Sequence, residues 1–263
     1  MRRIILIGIL SAGGLVVMVA KAERITPRRP VAPTQASSAK RPGPAAPTAP
    51  PAMPTSSVPP AIKAIPSETF CATAGKVSTL APTRLEVDMG GMRGIVAGDK
   101  SSTAQLTFTY QGPSKTESPL ANGEVRRQIG LKLRAVNTCN LVYVMWHVEP
   151  TPGVYVSVKS NPGKSTHAQC GANGYINLRP TGGTQPPQVT AGVKHVLRAT
   201  LDGRTLRAYA DEKLAWEGTL PDVADTLSGP AGVRSDNGKF DFEVALPGGA
   251  KAGTPCPPAD GGD

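Results

Sequence analysis

Beyond residue 66 the apolar side chains of this chain recur at every second position, and no long stretch shows the three- and four-residue spacing of a helix face. That period constrains the fold most, because successive side chains of a β-strand point to opposite sides of a sheet, whereas a helix repeats every ~3.6 residues. In AQLTFTYQG, Leu106, Phe108 and Tyr110 alternate with Thr107 and Thr109, and in RQIGLKLRAV, Ile129, Leu131 and Leu133 alternate with Lys132 and Arg134. NLVYVMWHVE puts Val142, Val144, Trp146 and Val148 on one face and Tyr143, Met145, His147 and Glu149 on the other. GVYVSVKSN sets Val154, Val156 and Val158 against Tyr155, Ser157 and Lys159. KHVLRATLDGRTLRAYADEKLAWEGTL reads as a hairpin turning at Asp202-Gly203, then a second turn at Asp211-Glu212, since Asp-Gly supplies the positive φ of a tight hairpin. KFDFEVAL places Phe240, Phe242, Val244 and Leu246 on one face. At least eight short strands with no internal repeat predict an all-β domain, an antiparallel two-sheet jelly-roll sandwich with its apolar faces packed inward. Trp146 and Trp216 are expected in that core.

The alternation stops at a compositional boundary. All eleven aromatic residues lie at or after Phe70, and twelve of the 27 prolines lie between Pro27 and Pro66. Such a segment cannot bury enough apolar surface to offset its ordering entropy, so residues 25–66 read as a disordered Pro/Ala-rich linker of extended polyproline character. Residues 67–258 are the expected domain and 259–263 a tail. Residues 1–24 place two arginines before an apolar run from Ile4 to Ala20. This is a targeting segment, an apolar helix acting as signal peptide or signal-anchor. Whether it is cut near Ala20-Lys21-Ala22 or holds the chain in a membrane through residues 4–20 stays open. The expected location is the periplasm or cell surface.

The formal net charge of +10 divides unevenly. Residues 1–66 hold nine Lys/Arg and one Glu, and the remainder holds 20 Lys/Arg and 18 Asp/Glu. The basic excess flanks the apolar segment, where it suits an anionic membrane surface, and a nearly neutral domain argues against nucleic acid as partner. Four cysteines, Cys71, Cys139, Cys170 and Cys256, follow the export signal, and an even number in an exported chain reads as disulfides. Three connectivities exist. Cys71–Cys256 with Cys139–Cys170 is favoured, because the first pair brackets the domain and would tie its ends together. No C-x-x-C or H-x-x-x-H spacing supports zinc.

Two further segments carry a family resemblance. One contains His195, Leu197, Gly203, Asp211 and Trp216; the other is Gly229-Pro230-Ala231-Gly232-Val233-Arg234-Ser235, leading into the strand at Phe240. Over residues 193–246 this order resembles the concanavalin A-like lectin/glucanase superfamily, including laminin G-like domains. The resemblance implies a two-sheet jelly roll, often used to bind carbohydrate, in a superfamily that also holds glycosidases, lyases and adhesion modules. It gives three expectations: a non-catalytic carbohydrate-binding module, a glycan-cleaving hydrolase or lyase, or a structural or protein-interaction domain of the cell envelope.

The glucanases of that superfamily carry spaced strand carboxylates. Here LEVDMGGM supplies Glu86 and Asp88, with Gly91 where a third would stand, so these two are the candidate catalytic pair. Sugar sites need flat aromatic faces and polar side chains on a concave surface. With the Val/Trp face of 141–149 buried, the opposite face gathers Lys132, Arg134, Tyr143, His147 and Tyr155, with Tyr209 and Arg207 joining from the hairpin; these are the candidate ligand-binding residues. No cofactor is expected. The superfamily's occasional calcium would fall on Asp236, Asn237 and Asp241, too few oxygens alone. Residues 235–238, SDNG, read as a tight turn, with Arg234 open between a local carboxylate and a ligand. NPGKSTHAQCGANGY reads as a disulfide-pinned loop.

Overall fold

Period-two alternation becomes strand wherever one face can be buried. The computed structural model describes residues 61–250 and 253–256. The targeting segment 1–24, linker residues 25–60 and the tail 259–263 lie outside the described residues. Fifteen strands follow in chain order among the described residues: β1 (Ile62–Ala64), β2 (Phe70–Ala74), β3 (Ser78–Ala81), β4 (Arg84–Asp88), β5 (Gly91–Val96), β6 (Thr103–Pro113), β7 (Arg127–Asn137), β8 (Asn140–Glu149), β9 (Gly153–Lys159), β10 (Tyr175–Leu178), β11 (Lys194–Asp202), β12 (Thr205–Ala210), β13 (Lys213–Thr219), β14 (Gly232–Asp236) and β15 (Gly238–Pro247). One α-helical turn, α1 (His167–Cys170), and two 3-10 turns, Ser67–Thr69 and Asp222–Thr226, interrupt them. No helix among the described residues is long and apolar enough to cross a membrane.

The strands form two antiparallel sheets. The first runs β13-β12-β11-β6-β15-β4-β3, with β1 added against β15 to make eight strands. The second runs β10-β9-β8-β7-β14-β5-β2, seven strands. Their inner faces meet in one core that includes Leu106, Phe108, Val144, Trp146, Trp216, Phe240 and Phe242. Phe108 packs edge-on against Trp146 and Phe240 at ring separations of 5.5 and 6.1 Å. The two-sheet antiparallel sandwich expected from the alternation is what forms.

Two local readings need correction and a third gains a detail. Ile62–Ala64 pairs with β15, and Ile65 is buried and donates its N–H to Val244 O, so the end of the presumed linker belongs to the sandwich. An apolar Ile-x-x-Ile in a proline-rich stretch was enough to add an edge strand. Ser235 and Asp236 are not a turn but the end of β14, and only Asn237 separates them from β15 in the other sheet. Asn237 makes that sheet-to-sheet step with φ 55°, a left-handed conformation that asparagine tolerates. Inside the disulfide-pinned loop, Thr166 and Gln169 form a capping box that starts α1.

The residues behind the family resemblance are fold residues. His195 Nδ1 bonds Asp211 Oδ2 at 2.8 Å, and Asp211 Oδ1 accepts the Val196 N–H at 2.8 Å. One carboxylate thereby fastens the second hairpin turn, where Asp211 and Glu212 have φ of 47° and 68°, to the start of β11. Both favoured disulfides form: Cys71–Cys256 spans 185 residues with Cα atoms 5.5 Å apart, and Cys139–Cys170 spans 31 with Cα atoms 5.9 Å apart.

Candidate functional site

The seven-stranded sheet buries much of its outer face as well as its inner one at its central strands. Every residue of β8 from Asn140 to Val148 is buried, as are Gln128–Leu133 of β7. Alternation sends Val142, Val144 and Trp146 to the core and Tyr143, Met145 and His147 outward, where Tyr143 and Met145 join a second apolar cluster with Leu141 and Ala135. Above this face lies a groove of about 1370 Å³. β5, β7, β8, β9 and β14 form its floor, residues 116–122 one wall, and the loop carrying α1 another.

The walls are fastened from the neighbouring strands. Asn237 accepts the Ser118 N–H at 2.7 Å and donates to Ser118 O and Arg126 O at 3.0 and 3.1 Å. Asp88 accepts the Lys115 N–H at 2.8 Å. On the other side, Asn161 donates to Cys139 O and Asn173 O, and the Cys139–Cys170 disulfide ties α1 to the β7–β8 turn.

The floor is an ionic and aromatic network. Asp236 Oδ1 receives Arg93 Nη2 at 2.9 Å, and Oδ2 receives Arg234 Nε at 2.8 Å together with Gln128 Nε2. Burial pushes the Asp236 carboxyl up, but the Arg234 and Arg93 charges outweigh it and hold the group down at about 2. Arg234 donates to Tyr175 Oη at 3.1 Å, and its guanidinium lies 5.0 Å from the Tyr143 ring centre. Tyr143 and Tyr175 stack at 6.0 Å and 19°. Burial pushes the Tyr143 hydroxyl up to about 12. At the edge, Glu124 is gripped by Arg126 through Nε and Nη2 at 2.8 and 2.7 Å, which brings its carboxyl down to about 2.

His147 lies under Tyr155, ring centres 4.1 Å apart and planes 23° apart. Burial, then the charge of Arg126, lowers His147 to about 3, so the imidazole is neutral in ordinary buffer. The Tyr155 ring rests on it and keeps 41 % of its surface in solvent. The result is a flat aromatic platform in a groove that also holds charged side chains.

Of the residues expected to bind ligand, Tyr143, His147 and Tyr155 meet in the groove. Lys132 is buried on the same face beside Tyr143, outside the groove lining. Arg134 does not join them. It sits at an irregularity in the β7–β8 pairing with φ 50° and donates to Ala224 O and Gly203 O, stitching two loops at one end of the sandwich. Tyr209 belongs to the other sheet, with Arg198 4.7 Å from its ring centre, and Arg207 there pairs with Glu217. Glu86 and Asp88 also lie on the other sheet, held by Lys239 at 3.2 and 3.9 Å, with Asp88 bound to Lys115 at 3.0 Å. Partial burial works upward on Asp88, but the Lys115 and Lys239 contacts keep it below its ordinary value. Of the proposed calcium oxygens, Asp236 faces arginines, Asn237 holds a wall, and Asp241 pairs across to β4; among the described residues no cluster of three or more His, Cys, Asp or Glu is arranged to hold a metal.

Sequence reasoning missed Arg93, Gln128, Lys159 and Tyr175, all of which line the groove; it held Arg234 open between a local carboxylate and a ligand, and the carboxylate is Asp236 in the same lining. Lys159 and Gln128 were findable, since they continue the outward alternation of Tyr155 and Lys132. Arg234 and Asp236 alternate around Ser235 in the same way, but a strand of charged residues resembles a turn until their ion pairs are seen.

No family model matches the chain, and no curated protein sequence does. Solved structures with similar topology include the carbohydrate-binding module CBM66 from Bacillus subtilis, 12 % identical with TM-score 0.47, covering 66 % of this chain and 91 % of that one. The metal-free carbohydrate recognition domain of Emp46p is 9 % identical, TM-score 0.43, covering 70 % and 90 %. Domain 4 of the extracellular arabinanase AbnA from Geobacillus stearothermophilus, in complex with arabinotriose, is 11 % identical, TM-score 0.37, covering 68 % and 82 %.

Proposed function

We propose that the sandwich is a non-catalytic carbohydrate-binding module of the concanavalin A-like kind, exported, and held at a membrane by its N-terminal segment. The observation that carries the binding reading is the Tyr155–His147 platform within the 1370 Å³ groove. A sugar ring offers a C–H face and a rim of hydroxyls; the platform suits the first, and the half-buried Arg126 and Glu124 suit the second. Two disulfides support export.

The groove's acids favour binding over hydrolysis. A glycosidase needs one carboxyl raised enough to donate a proton. Glu124 and Asp236 are both held at about 2 by arginines, so neither carries a proton near neutrality.

The test is a glycan array with the full chain, followed by Tyr155→Ala. The ring is half exposed, so the fold should survive, and affinity for the bound glycan should fall at least about tenfold, ~1.4 kcal/mol. Absence of binding to every glycan, or unchanged affinity in Tyr155→Ala, would overturn the reading.

A further inference from the structure

Among the described residues the groove floor sets two guanidiniums, Arg93 and Arg234, around one carboxylate, Asp236, while at its edge Arg126 faces Glu124.

Arg126 and Glu124 neutralise each other. Arg93 and Arg234 do not have that option, because they share Asp236, whose two oxygens are both taken. Their remaining contacts are neutral: Arg93 donates to Met92 O and Ser235 O, and Arg234 to Tyr175 Oη. Neutral acceptors satisfy N–H groups but not the charge, and a guanidinium withdrawn from water without a counter-ion is costly. Across the stacked tyrosines, the Lys159 ammonium lies 5.2 Å from the Tyr175 ring centre and donates to Gly171 O. Tyr175 registers the result: burial pushes its hydroxyl up, yet the charges of Arg234 and Lys159 bring it below its ordinary value. Low-dielectric walls concentrate such a field.

Resting on the glycan reading, we infer that the groove selects an acidic glycan, one whose sugars bear carboxylate or sulfate, with Arg93 and Arg234 supplying the charge it neutralises. The Arg93 side chain keeps 17 % exposure, and a guanidinium offers a planar fork that fits an oxyanion. A neutral glycan would leave the floor's surplus charge uncompensated.

The experiment measures binding of the full chain to matched pairs: polygalacturonate against its methyl ester, and chondroitin sulfate against its desulfated form, with laminarin as a neutral polymer and single-stranded DNA as a non-glycan polyanion. The expected result is that at least one acidic member binds about tenfold or more tighter than its neutralised partner; which pair separates identifies carboxylate or sulfate. Arg93→Gln should abolish that preference. Arg126→Gln, at a more exposed position, should weaken it by leaving Glu124 uncompensated, whether or not Arg93→Gln folds. Arg207→Gln, on the other sheet, should leave it unchanged. Acid preference that survives both groove substitutions belongs to the basic N-terminal segment and overturns the inference. Equal binding to neutral and acidic partners overturns it while leaving the glycan reading standing. DNA bound more tightly than any acidic glycan, and weakened by the same substitutions, overturns it; no binding to any glycan overturns both.

Discussion

At the residue scale, His147 links the groove to acid stability. Its imidazole titrates at about 3 in the fold against an ordinary 6.5, chiefly because of burial. Above pH 6.5 the residue is neutral in both states and costs nothing. As pH falls below 6.5 the unfolded chain takes a proton that the folded chain refuses, and stability declines until pH approaches 3, by on the order of a few kcal/mol. Asp236 and Glu124 act in a separate window. Their folded values of about 2 lie below the ordinary 3.8 and 4.5, so their contribution is complete above those ordinary values and is lost as pH falls through 2. Urea midpoints between pH 7 and pH 5 therefore isolate the histidine. The wild-type midpoint should fall over that interval, and His147→Gln should flatten the fall; an equally steep fall in the variant would remove His147 as its cause. This residue was legible in the sequence because it alternates with Trp146 and Val148. Arg234 was singled out, with a local carboxylate as one of its two expected partners, but its burial in a strand with Asp236 was not legible, since nothing local distinguishes a buried ion pair from a solvated turn.

At the element scale, sequence alone located strands wherever apolar residues recur at every second position: β6, β11, β12 and β15, which alternate buried and half-buried residues along most of their length, and also β7, β8 and β9, although β8 is buried on both faces. β5 and β14 went unread for opposite reasons. β5 is glycine-rich, and all five residues of β14 are buried, polar ones included, because the groove's ion network covers its outer face. Close approach of backbones is part of that design. Gly130 of β7 pairs with Arg234 on one side and Met145 on the other. A Cβ there would lie 2.2 Å from Val144 O and 2.6 Å from Met145 Cα, backbone atoms that yield only if β8 moves. Gly130→Ala should accordingly cost about 1–3 kcal/mol and displace Met145 from the groove floor. Chemical denaturation checks the first effect. A midpoint within error of wild type would mean that β7 and β8 can part more easily than their packing indicates.

At the scale of the whole molecule, cysteine positions revealed the disulfide pairing, because Cys71 and Cys256 bracket the domain. The strand order was not legible, because alternation states which face a residue occupies but not which strand lies beside it. The two bridges have different tasks. In the chain-entropy description, closing a loop of 185 residues stabilises by about 5 kcal/mol and one of 31 by about 4 kcal/mol. Cys71–Cys256 joins β2, an edge strand of the seven-stranded sheet, to the far end of the domain, away from the groove lining. Cys139–Cys170 instead anchors α1, whose loop contributes His167, Gly171 and Ala172 to the groove wall. Replacing both cysteines of the long bridge by serine should lower global stability the more and leave the affinity of any groove ligand intact once the protein is folded. The Cys139→Ser, Cys170→Ser pair should do the reverse, losing somewhat less stability but loosening the wall, so that ligand affinity falls and amide exchange rises over residues 160–174. Denaturation midpoints, ligand titration and hydrogen exchange on the two double variants separate these effects. Equal loss of ligand affinity in both variants would mean that the groove depends on overall stability and not on the bridge beside it.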